Sequence, residues 1–234
     1  MKLIIAASLL ILQLIDASSV RGYVKIRNRA PKGGTCFTPP WIGFHDGNFD
    51  LYDLGSPITP AFERLVEDGN NDPLSDSFDD SRGTIYDATV GSAPLCPGET
   101  ARLRFDFDLE DGVKHYFSYA TMILPSNDAF LANGNPKEHL IIDNQGRTVN
   151  SRTVIRETGD DVLDGGTEVN DERPKTTAFF GQTVPDTGRV ENGVVQFHPG
   201  FNRRGSGGIL DSEEFSNADF TEGFRIMDIV LVVQ

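Results

Sequence analysis

The stretch DVLDGGTEVND, residues 161 to 171, spreads Asp161, Asp164, Glu168 and Asp171 around Gly165 and Gly166. Carboxylates that crowded repel one another unless water or a cation lies among them. The chemistry on offer is binding of a hard cation. Calcium takes about six to eight oxygens and tolerates irregular geometry, so carboxylates on loops suit it. The stretch is not an EF-hand, because Val162 and Leu163 break the D-x-[DN]-x-[DN]-G spacing. Asp164 and Glu168 stand four apart across two glycines, so a turn can bring both side chains to one point. Spacing alone leaves two readings open, a solvated acidic loop or half of a cation site. Asp160, Asp161 and Asp171 read as surface charge.

Other residues could do chemistry elsewhere. In GFHDGNFD, His45 and Asp46 would be the starting point for a hydrolase, but adjacent residues of a strand point to opposite faces. A structural hydrogen bond at a turn accounts for His45 as well. His115, His139 and His198 have no partner at metal or triad spacing, and neither a G-x-S-x-G elbow nor a phosphate-cradling glycine loop occurs. Glu67 and Asp68 before Gly69 read as a helix end entering a turn, and DSFDDSRG at 76–83 reads as a solvated charge run. Arg203 and Arg204 stand in a glycine-rich tip or loop, a small basic spot in an acidic chain. Trp41 is the only tryptophan, a thin platform for stacking sugars.

The elements that must position these residues are mostly strands. ARLRFDFDLE puts Leu103, Phe105, Phe107 and Leu109 on one face and charged residues on the other, the pattern of a half-buried antiparallel strand. YVKIRNR, KHYFSYATMIL, GVVQFHPG and GFRIMDIVLVV read the same way. The last is apolar on both faces, which predicts a central strand. One helix is signalled in TPAFERLVEDG, where Thr59 caps, Pro60 takes the first helical position and Gly69 stops it. The expectation is an all-β antiparallel sandwich with long loops and one or two short helices.

The opening MKLIIAASLLILQLIDASS has one Lys, an apolar run and then small residues, the order of a secretory signal peptide. Cleavage is expected near Ser19, leaving residues 20–234 as a single domain of about 215 residues, and the protein is expected to be secreted. No later segment is apolar for long enough to span a bilayer. A net charge of −14 argues against nucleic acid and anionic membranes as partners and favours cations, basic proteins or neutral sugars. Cys36 and Cys96, each beside prolines, read as a disulfide in an exported chain, with two separately buried thiols as the alternative.

The ordered series FTPPWIGFHDGNFDLYDLGSPITPAFERLVEDGN, APLCPGET, TMILPSNDAF, VLDGGTEVNDE and VVQFHPGF resembles the spondin domain across nearly all of the mature chain. It is nearest to the stand-alone secreted form and more distantly similar to the module of F-spondin and mindin. The resemblance implies a C2-like β-sandwich that works in extracellular matrix or cell-surface adhesion and holds one calcium ion at a sandwich edge. It also implies the ligands. The family's PS-x-D turn corresponds to Pro125–Ser126–Asn127–Asp128, and its D-A-G-T-D/E turn to Asp164–Gly165–Gly166–Thr167–Glu168. Asp128, Asp164 and Glu168 are therefore the expected calcium ligands. Ala129 stands where the animal modules carry a large aromatic, and the segment between the two turns is longer here. A calcium-dependent carbohydrate-binding module and a metal-assisted hydrolase at His45 and Asp46 are the rival functions.

Overall fold

Alternating and β-branched runs become strands, and the computed structural model describes residues 19–221 and 223–234. Residues 1–18, which hold nearly all of the expected signal peptide, lie outside the described residues. In chain order the elements are β1 (Ser19–Asn28), β2 (Cys36–Phe37), β3 (Trp41–His45), α1 (Pro60–Asp68), α2 (Asp72–Asp79), β4 (Thr84–Thr89), β5 (Thr100–Asp108), β6 (His115–Leu124), β7 (Ala129–Ala132), β8 (Leu140–Ile142), β9 (Arg152–Thr158), β10 (Leu163–Asp164), β11 (Gln196–Phe197) and β12 (Arg225–Val233). They form two antiparallel sheets. The smaller runs β5-β1-β12-β9; the larger runs β11-β10-β7-β6-β3-β4, with β2 and β8 also on β6. The all-β sandwich expected from the sequence is what the chain forms.

Aromatic residues from both sheets meet in the middle. Phe105 and Phe107 of β5 stand 4.8 Å, centroid to centroid, from Phe44 of β3, which lies 5.4 Å from Phe117 of β6. Burial of each such ring contributes about 1.5–3 kcal/mol. β12 lies between β1 and β9, as its two apolar faces predict.

The outer face of the larger sheet is covered too, which the sequence reading did not anticipate. α1 starts as expected, with the Thr59 hydroxyl accepting from Phe62 N and Gly69 closing the helix at φ +66°. α2 occupies 72–79, so the first half of the run read as a solvated loop is helical. Its Leu74 and Phe78 join Phe62, Leu65 and Val66 of α1 against Trp41, Ala120 and Phe130. β6 is consequently buried along its whole length rather than half-buried. GVVQFHPG supplies only the two-residue β11, with Phe197 61% exposed. Trp41 is fully buried and donates to Asp87 at 2.8 Å, so it offers no sugar platform.

Cys36 and Cys96 form a disulfide, with Cα atoms 4.1 Å apart. It joins β2 to the 95–99 turn, beside the Phe37–Leu95 backbone pair. Among the described residues no helix is long and apolar enough to cross a membrane.

Candidate metal centre

Two turns at one edge of the larger sheet bring the expected ligands together. β6 ends at Leu124, and Ser126 fastens the following turn by donating to Ile123 O at 2.7 Å and accepting from Ala129 N at 3.1 Å. Asp128 then stands just before β7. Asp164 is the last residue of β10, paired with Ala129 in the β7–β10 ladder. The Asp128 and Asp164 side chains are thus neighbours across adjacent strands. Beyond Asp164 the chain turns sharply, with Gly166 at φ +66° and packed so closely on Val194 that a Cβ would collide. This turn folds Thr167 and Glu168 back over Asp128.

The contacts are mostly carboxylate to backbone N–H. Asp128 Oδ2 accepts from Thr167 N at 2.8 Å and Glu168 N at 3.1 Å. Asp164 Oδ1 accepts from Gly166 N at 2.8 Å, while its Oδ2 accepts from Asn170 Nδ2 at 3.0 Å and Gln196 Nε2 at 3.3 Å. Glu168 is pressed against Gly188, where any Cβ would overlap its carboxyl group. Asp128, Asp164 and Glu168 are 0%, 2% and 3% exposed. A solvated loop would leave them in water, so that alternative does not describe these three. It does describe Asp160, which is exposed.

Two carboxylate oxygens here, Asp128 Oδ1 and Glu168 Oε2, are buried without a hydrogen-bond partner. A buried polar group left unpaired is costly, and a buried charge more so. Burial, then the charge of Asp164, drives Asp128 up to about 7. Burial, then Glu67, drives Glu168 up to about 8. None of the ion pairs among the described residues reaches Asp128, Asp164 or Glu168. The donors are therefore all hard oxygens, buried and in part without partners, which is the chemical type a hard divalent cation takes. The side chains do not yet form a closed cage: among the described residues no group of three or more His, Cys, Asp or Glu is arranged to hold a metal ion. Backbone carbonyls and water would have to complete any calcium shell.

Two residues at this edge escaped the sequence reading. Glu67 stands in the last turn of α1, before Gly69 as expected, but it is 3% exposed rather than at the surface, held by Arg64 at 3.0 Å and acting on Glu168. Its i, i+3 spacing from Arg64 was a visible signal. Arg64 also pairs with Asp68. His198 stands near Asp164, yet burial drives it down to about 4 against the pull of that aspartate, so it stays neutral and adds no counter-charge.

His45 is sealed, at 0% exposure. Its Nδ1 accepts from Gly47 N at 3.0 Å, which puts the ring proton on Nε2, facing Ser118 Oγ at 2.8 Å. In that tautomer the ring cannot take a proton from the serine, and burial lowers His45 to about 4. Asp46 instead binds Asn48 on the surface. The pair does not assemble as hydrolase machinery.

The buried acids predict a pH dependence. Folding raises Asp128 from 3.8 to about 7 and Glu168 from 4.5 to about 8. The stability they contribute is complete below the unfolded values and is lost as pH rises through the folded ones. His45 and His198 act oppositely, but only as pH falls below the ordinary histidine value of 6.5. In chelator, the melting temperature is therefore expected to rise between pH 8 and pH 6.5, and Glu168→Gln to flatten that slope. A wild-type profile that falls over the same range would contradict the buried-acid account.

No protein-family model matches the chain, and no curated protein matches it.

Proposed function

We propose that this chain is a secreted, non-catalytic spondin-type sandwich that binds calcium through Asp128, Asp164 and Glu168 and serves in extracellular matrix or cell-surface adhesion. The observation that carries the reading is the pair of unpartnered buried oxygens, Asp128 Oδ1 and Glu168 Oε2, in a site with no ion pair of its own. A calcium ion would offset the repulsion among these carboxylates and tie the 125–128 turn to the 164–168 turn. That is a structural role for the metal, and the chemistry it supplies is electrostatic. The residues do the rest: Gly166 makes the return turn, Asp128 organises the Thr167 and Glu168 amides, and Glu67 supplies further negative charge from α1.

A calcium-dependent glycan-binding module would share the sandwich and the ion, but the buried Trp41 removes its most obvious sugar platform. Binding on a glycan array would favour that rival; turnover lost in His45→Ala would favour the hydrolase.

The test is calcium calorimetry at pH 7 in two buffers of different ionisation enthalpy. Metal binding needs deprotonated ligands, and the metal-free protein holds protons on Asp128 and Glu168 at this pH. Calcium is therefore expected to release about one to two protons per ion, and magnesium to give little heat because it surrenders its water reluctantly. Absence of a calcium heat would contradict the proposal.

A further inference from the structure

Between the edges of the two sheets lies a cavity of about 520 Å3, lined by β9 of the smaller sheet, by β6, β10, β11 and the end of β7 in the larger, and by the loop carrying Tyr52 and Leu54. Its size is within the range of small-ligand sites. It is separate from the centre at Asp128, which does not line it.

The walls combine rings and acids. Tyr52, Tyr119, His139 and Phe197 line the cavity together with Glu138, Glu157 and Asp161. His139 lies over Tyr119, with centroids 6.1 Å apart and planes at 26°. Phe197 is 61% exposed and Leu54 54%, apolar surface kept open at the mouth. Glu157 is 9% exposed, and one of its oxygens accepts from the Tyr119 hydroxyl. Its other oxygen has no hydrogen-bond partner among the described residues. Arg156, the cation on the wall, makes no ion pair among them. Asp161 already accepts from Thr158 N and Oγ1 and so contributes charge more than a free acceptor. A ligand able to satisfy Glu157 and Glu138 and lie against aromatic faces carries positive charge.

We propose that this cavity binds an alkylammonium group, presented by a lysine side chain or by a free polyamine. The ammonium would donate its hydrogen bonds to Glu157, with Glu138 and Asp161 near, and its methylene stem would lie on Phe197 and Leu54. After burial itself, Glu157, Glu138, Asp50 and Asp161 all push the Tyr52 phenol upward, and burial raises Glu157 to about 7, so a bound cation would draw off the proton Glu157 partly holds at neutral pH. His139 is held below its ordinary value by burial and so adds no opposing charge. A neutral sugar could stack on the same rings but would leave the excess of carboxylates uncompensated.

Calorimetric titration of the whole secreted chain tests this with three probes: Nα-acetyl-lysine N-methylamide, spermidine and methyl β-glucoside. Both amines are expected to bind and the glucoside not. The tighter of the two identifies the source, the lysine probe for a basic protein segment and spermidine for a free polyamine. Glu157→Gln keeps the shape and an acceptor for Tyr119, and is expected to weaken amine binding roughly tenfold or more, the loss of one charge-assisted hydrogen bond. Phe197→Ala, at an exposed position that does not endanger folding, is expected to weaken it a few-fold. Asp79→Asn, at an exposed carboxylate of α2 that does not line the cavity, is expected to leave it unchanged. Failure of both amines to bind, glucoside binding as tight as theirs, amine affinity unchanged in both Glu157→Gln and Phe197→Ala, or an equal loss in Asp79→Asn would each overturn the assignment.

Discussion

Replacing Cys36 and Cys96 together with alanine is expected to lower stability by about 4 kcal/mol, a large share of the roughly 5–15 kcal/mol that holds a typical domain folded. The bond closes a separation of 60 residues. Opening it therefore returns much conformational freedom to the unfolded chain, and the cost follows loop length in the chain-entropy account. The folded state loses contacts as well. Cys36 is 3% exposed and packs with Met122 and Leu124, so an alanine there leaves a small void. The link also holds β2 in place beside the Phe37–Leu95 pair, where two backbone hydrogen bonds of 3.0 and 2.8 Å run between the segments. Urea unfolding of the wild type and the double variant measures the difference. A loss under about 1 kcal/mol would mean that the unfolded chain is already compact around this loop. Alkylation of the purified protein without reductant should label neither cysteine.

The strand-rich architecture was legible where one physical requirement dominated the local sequence. Phe105 and Phe107 alternate with charged neighbours because β5 faces solvent on one side, and β12 is apolar from Ile229 to Val233, as suits a strand inside its sheet, between β1 and β9. α1 announced itself through Thr59, Pro60 and Gly69, each needed for its own backbone geometry. α2 was harder to see, since its acids read as a solvated run. The signal lay in Pro73 at the helix start and in Leu74 and Phe78 four apart, which share a face. β6 was misjudged because nothing in its own residues says that two helices cover its outer face. GVVQFHPG looks like a strand, yet only Gln196 and Phe197 are strand residues, because Gly193 N turns to Gly166 O and Val195 N to Ser56 O.

The candidate site was partly legible for a related reason. Crowded acids around Gly165 and Gly166 were visible, but their burial was not, because it depends on Val66 of α1 and on the 188–194 segment closing over the turn. The neighbourhood of Asp128 and Asp164 depends on the β7–β10 ladder, a pairing across 35 residues that no local pattern encodes. The approach of Glu67 depends on where α1 packs.

The second large effect concerns that site. An ion that binds only the folded state stabilises it by about 2.7 kcal/mol at a hundredfold excess over its dissociation constant. For a chain of this size that corresponds to roughly 5–10 °C in melting temperature. The choice of variant follows from the geometry. Both oxygens of Asp164 accept from donors, so Asp164→Asn turns an amide toward one of them and loses stability for reasons unrelated to calcium. Glu168→Gln is cleaner, because Glu168 Oε2 has no partner and an amide can occupy its place. It removes a buried charge as well, so the metal-free variant should melt at or above the wild type at pH 8.

Thermal melts across a calcium series at pH 8, on the wild type, Glu168→Gln and Asp160→Asn, test the central claim most directly. The account predicts a wild-type melting temperature that climbs with the logarithm of calcium concentration, a response largely lost in Glu168→Gln, and one retained in Asp160→Asn, whose carboxylate is exposed. A wild type indifferent to calcium, or a Glu168→Gln protein that responds as fully as the wild type, would contradict it.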